Sequence, residues 1–90
     1  MNAPVALLRR FFASPLATAL ALVLLILLSA SAAFYLLEFA GNPDKTYFDA
    51  LWWAMVTLST VGYGDIVPTT VAGRLVGMAI MATGVGVMAA

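Results

Sequence analysis

The 90-residue sequence contains no cysteine and no histidine. Without cysteine there is no disulfide framework, and the redox compartment leaves no mark on the chain. Without histidine the commonest metal ligand and the commonest general base are both missing, so an enzyme is not expected. Charge is scarce too. Four basic and four acidic residues, 9% of the chain, cancel to a formal net charge of zero. No basic patch offers a footprint for nucleic acid. The abundant component is apolar side chain, at 64% of residues. A soluble domain this small could not bury so much, because small domains hide only a modest share of their surface. Residues 1–90 therefore read as one membrane domain, without internal repeats or low-complexity tracts.

Residues 1–15 read as a short N-terminal segment, with Arg9 and Arg10 beside Phe11 and Phe12. An arginine pair directly before an apolar run places the N-terminus in the cytoplasm, with Lys45 and Arg74 outside and the phenylalanines at the interface. Ser14 offers an N-cap, with Pro15 at the first helical position where its missing N–H matters least. From Leu16 to Leu37 no residue is charged, and Glu38 closes the run. At about 1.5 Å per residue, a helix over 16–38 covers the roughly 30 Å hydrocarbon core of a bilayer. The arginines, the apolar run and Ala30-Ser31-Ala32 also imitate a secretory signal peptide. The run is longer than a signal core, however, and cleavage would leave a single membrane helix downstream.

Gly41-Asn42-Pro43-Asp44 is dense in turn formers and reads as an outer loop. Thr46 then resembles an N-cap with Asp49 three residues on, a short capping box that predicts a helix over 47–58. Three turns are too few to span a bilayer, so this helix is expected to be re-entrant. It carries Trp52 and Trp53, read either as an interfacial belt or as a cuff behind the next loop, with an indole N–H for a carboxylate such as Asp65. Pro68 prevents the segment before it from continuing as a paired strand. Thr69 or Thr70 caps a last helix over 71–90. There Gly73 and Gly77 have the spacing that lets helices approach closely in lipid. Met78, Met81 and Met88 read as packing residues.

Between the two helices stands Thr60-Val61-Gly62-Tyr63-Gly64-Asp65. Carbonyls along an extended chain alternate between its two sides. Aiming successive carbonyls the same way requires left-handed dihedrals at alternate residues, which glycine adopts at almost no steric cost. Gly62 and Gly64 occupy such alternate positions. Val61 and Tyr63 would then point away and pack behind, while Thr60 adds a hydroxyl oxygen. This makes a ladder of oxygens that only a ring of chains could close around a bare cation. A glycine-rich turn is the plain alternative. A nucleotide-binding loop is disfavoured, since no Gly-Lys-Ser/Thr follows.

This hexapeptide matches potassium-channel selectivity filters residue for residue. Over about residues 16–90 the chain resembles the pore domain of tetrameric potassium channels, through the Asp49-Ala50-Leu51-Trp52-Trp53 run, the filter, Pro68 and Gly73-Arg74. The resemblance implies an all-α membrane protein with outer helix 16–38, pore helix 47–58, filter 60–65 and inner helix 71–90, in a homotetramer of identical subunits. It implies passive K+ conduction in a bacterial or archaeal plasma membrane, with K+ held by Thr60, Val61, Gly62 and Tyr63. Gly64, Asp65, Trp52, Trp53 and Val56 would support the filter, and Trp53 is expected to brace Asp65. Gly84 matches the family's hinge glycine, Val85 and Met88 would face the cavity, and Val67 stands at the outer mouth. Val56 replaces the glutamate that some simple bacterial channels carry. The inner helix is expected to be truncated at Ala90, without the usual cytoplasmic gate, and a regulatory domain could follow. No voltage-sensing segment is expected before the outer helix. A weakly selective cation channel and a non-conducting anchor subunit are the rival functions.

Overall fold

The structure, a computed structural model, describes residues 2–89. Met1 and Ala90, the expected limits of the N-terminal segment and the inner helix, lie outside the described residues. Four helices follow in order: α1 (Asn2–Ala13), α2 (Pro15–Phe34), α3 (Tyr47–Leu58) and α4 (Val71–Ala89). No strand occurs among the described residues, so the chain is all-helical as expected. The N-terminal segment is not merely a short tail, because most of it is helix. Ser14 ends α1 and caps α2, with extended backbone and its side chain accepting from the Ala17 N–H. Pro15 at the first helical position lacks the donor that would otherwise need a partner.

α2 does not stop at Glu38. It passes into a wider π-helical turn over Tyr35–Phe39, and Pro15–Phe39 together form one apolar stretch of 25 residues. At about 1.5 Å per residue this exceeds the hydrocarbon thickness. α4 is the second helix long and apolar enough to cross. α3, with 12 residues, is not.

The three helices α2, α3 and α4 pack together around an aromatic centre. Phe34 is fully buried and stacks on Trp53, with centroids 3.8 Å apart and planes within 12°. Phe39 meets Phe34 edge-on at 5.1 Å. Leu27 on α2, Ala50, Ala54 and Leu58 on α3, and Ile80 on α4 complete the cluster. In lipid the hydrophobic effect does not drive such packing, so close contact and interhelical hydrogen bonds must hold the helices together. One bond of that kind joins Ser31 Oγ to the Tyr47 hydroxyl at 2.7 Å, and Tyr47 also donates to the Leu28 carbonyl. The first residue of α3 is thereby tied to the middle of α2.

Candidate functional site

α3 begins where its cap dictates. Thr46 Oγ1 accepts from the Asp49 N–H, and the Asp49 carboxylate accepts from the Thr46 N–H at 2.8 Å, so the capping box is closed on both sides. That bond, joined by one from the Thr46 hydroxyl and by the nearby Lys45 charge, holds the Asp49 carboxyl below the usual carboxylate range.

At its other end α3 turns directly into the loop over 60–65. Thr60 N–H donates to Thr57 O, and Gly62 N–H reaches back to Val56 O at 3.1 Å. The Val56 carbonyl also accepts from Ser59 Oγ. It is one of the last helix carbonyls, which have no partner within the helix itself. Val56 itself is buried, so its side chain packs while its carbonyl anchors the loop.

The expected dihedral alternation is present. Gly62 and Gly64 have φ of +59° and +79°. Thr60 joins them at +67°, making every second residue from 60 to 64 left-handed. For a β-branched side chain this is a strained conformation, costing of order 1–3 kcal/mol and kept only where neighbours over-determine it. The two loop-to-helix hydrogen bonds do so here. Sequence reasoning assigned the left-handed positions to glycine alone and missed Thr60, although its place two residues before Gly62 continues the period.

The Asp65 contact expected of Trp53 is made by Trp52 instead. Trp52 Nε1 donates to Asp65 Oδ2 at 2.9 Å, and the same indole lies parallel to the Tyr63 ring at 5.9 Å. Trp53 makes no such bond. It faces inward, stacked on Phe34 and close to Gly77. Adjacent helix residues point about 100° apart, so one indole of the pair meets the filter and the other meets the core.

Glu38, read from sequence only as the end of an apolar run, is the other residue that was missed. Its carboxylate accepts from the Thr69 N–H at 2.7 Å, the Thr70 N–H at 3.0 Å and both threonine hydroxyls. Thr70 Oγ1 in turn accepts from the Gly73 N–H, making Thr70 the cap of α4. Glu38 thus ties the π-helical turn after α2 to the start of α4. A Cβ at Gly73 would overlap the Glu38 carboxylate where it stands and push it off its threonine donors. The available signal was the charge itself, since an acid at the end of a span needs donors.

Gly84 lies in an unbroken stretch of α4 and is buried against the end of α3, where a Cβ would overlap the Leu58 carbonyl oxygen. Close packing is by itself a reason for glycine at this position. Val85 and Val67 line an apolar groove of about 630 Å³ that also receives Trp53, Val56, Thr60 and Gly62. Met88 is exposed beside the foot of the loop, with its sulfur 3.9 Å from Thr60 Oγ1. Val61 and Tyr63, expected to pack behind the loop, are instead exposed, with the Trp52 ring the one aromatic neighbour of Tyr63 among the described residues, because a single chain supplies little else on that side.

Two long apolar helices around a short re-entrant helix and an alternating loop define a pore-forming architecture. Residues 22–90 match the family described as "Ion channel", and the chain belongs to it. It is a family of channels rather than of enzymes. A voltage-gated potassium channel of Aeropyrum pernix is 46% identical over 68 residues, 73% of this chain and 23% of that protein. A cyclic nucleotide-gated potassium channel of Rhizobium etli is 43% identical over 67 residues, 72% of this chain and 19% of that one. The chain thus spans less than a quarter of these curated relatives. A crystal structure of a voltage-gated K+ channel pore domain, closed and in lipid membranes, superimposes with a TM-score of 0.71 at 37% identity. That match covers 84% of this chain and 85% of the other.

Proposed function

We propose that this chain is the pore of a potassium-selective channel, four copies of which surround one conduction path. The observation that carries the reading is the left-handed alternation at Thr60, Gly62 and Gly64, anchored to α3 through Val56 O. Such alternation turns successive carbonyls toward one edge of the chain. Four such edges facing an axis replace the hydration shell of K+ with backbone oxygens from Thr60, Val61, Gly62 and Tyr63 and the Thr60 hydroxyl. One chain surrounds nothing, and the exposed Val61 and Tyr63 with the adjoining apolar groove provide surface for neighbouring copies. The C-terminal end of α3 adds the negative end of its dipole on the side of the cavity, favouring a cation there. Arg9 and Arg10 before α2 support a cytoplasmic N-terminus in a plasma membrane.

Flux through liposomes containing the purified protein, measured with K+ and then Na+, tests the reading. Selective K+ flux is expected. Equal fluxes would favour a weakly selective cation channel, and none would favour a non-conducting subunit. Gly62→Ala places a Cβ on a left-handed residue at about 1–2 kcal/mol per chain, and should abolish selectivity or conduction.

A further inference from the structure

The helix α1 precedes the matched family region and packs against no element other than α2 among the described residues. Its larger apolar residues Val5, Leu7, Leu8, Phe11 and Phe12 are all exposed. At 100° per residue, these five and Pro4 fall within an arc of about 160°, and Ala6, Arg9, Arg10 and Ala13 fill the rest. Arg9 lies just beyond one border of the apolar arc and Arg10 beyond the other. No acidic residue stands on α1 to neutralise them.

Connectivity says what covers this face. α1 ends at Ala13 and the apolar span begins at Pro15, so the C-terminal end of α1 is at the bilayer boundary. Twelve residues, about 18 Å of helix, are too few to cross. A helix lying flat at that boundary would sink its apolar arc toward the acyl chains. Arginines on the two borders of the arc would then reach the phosphate layer from either side. A second copy of α1 is a poorer occupant, since it brings two more arginines and no acid.

We propose that α1 is an interfacial helix whose Arg9 and Arg10 bind the headgroups of anionic glycerophospholipids. The inference rests on the membrane span alone and is independent of which ion passes. Each arginine is expected to give about a fivefold preference for anionic over zwitterionic lipid.

The absence of cysteine makes the test direct, because single cysteines can be placed in the chain and labelled uniquely. Leu8→Cys reports the centre of the apolar arc and Ala6→Cys the opposite face. In vesicles of mixed phosphatidylglycerol and phosphatidylcholine, a spin label at position 8 should collide mainly with oxygen, and one at position 6 with a water-soluble nickel chelate. A fluorophore at position 8 should be quenched severalfold more by brominated phosphatidylglycerol than by brominated phosphatidylcholine. Arg9→Gln with Arg10→Gln should bring the two toward equality. Water access at both positions would overturn the interfacial helix. Equal quenching in the labelled chain that keeps both arginines would overturn the anionic preference. Spin–spin broadening between position-8 labels that lipid quenchers do not reach would instead assign the face to a second copy.

Discussion

An indole and a carboxylate separated by 13 residues decide how the Asp65 end of the loop is held. A hydrogen bond to a charged group contributes roughly 1.5–3 kcal/mol, and less where water competes, as it does at exposed Asp65. Trp52→Phe keeps a ring for Tyr63 to stack on but removes the donor. Single-channel records in planar bilayers should therefore show altered open lifetimes for Trp52→Phe. Trp53→Phe reduces the stack on Phe34 instead, and should lower thermal stability with less effect on those lifetimes. Unchanged lifetimes in Trp52→Phe would reduce the Asp65 contact to surface decoration.

At the scale of elements, α3 is fixed at both ends. Its start depends on the Thr46–Asp49 box, and the sign of the resulting pH dependence follows from the depressed Asp49 pKa. A carboxyl lowered in the folded state stabilises fully above its unfolded pKa, and the contribution fades as pH falls through the folded value. The thermal midpoint should thus drop on acidification to and below the ordinary carboxylate range, and Asp49→Asn should flatten that part of the profile. The far end of α3 rests on α4 through Gly84. Adding a methyl there overpacks the Leu58 carbonyl, and such insertions typically cost 1–3 kcal/mol. Gly86 has open space around it, so Gly86→Ala should be neutral or raise helix stability by about 0.5–1 kcal/mol. Denaturation of both variants in detergent distinguishes packing from hinging. A Gly84→Ala protein of normal stability but altered gating would make Gly84 a hinge.

For the whole molecule, the feature to explain is an apolar groove and an exposed filter loop on one side of the chain. If four copies close around K+, the ion is a ligand of the assembly alone and stabilises it by mass action. Cross-linking in K+ and then in a large organic cation should give a tetramer band that weakens in the second. A monomer in both would remove the basis for a closed filter.

What the sequence settled by itself was everything encoded over a few neighbouring residues. The uncharged run after Pro15 was long enough to span, Thr46 and Asp49 marked the start of α3 to the residue, and Gly62 and Gly64 announced two of the three left-handed positions. The amphipathic arc of α1 was also present in the spacing of Leu8, Phe11 and Phe12, though only the arginine charge and an interfacial place for the phenylalanines were read there. Only the tertiary structure decided contacts between distant segments. Glu38 looked like the end of a helix until the chain returned 31 residues later with Thr69. Trp52 and Trp53 are identical in type and adjacent in sequence, and nothing local tells them apart. Their roles separate because a helix rotates neighbours by about 100°, and the path of the loop after Leu58 determines which direction contains Asp65 and which contains Phe34.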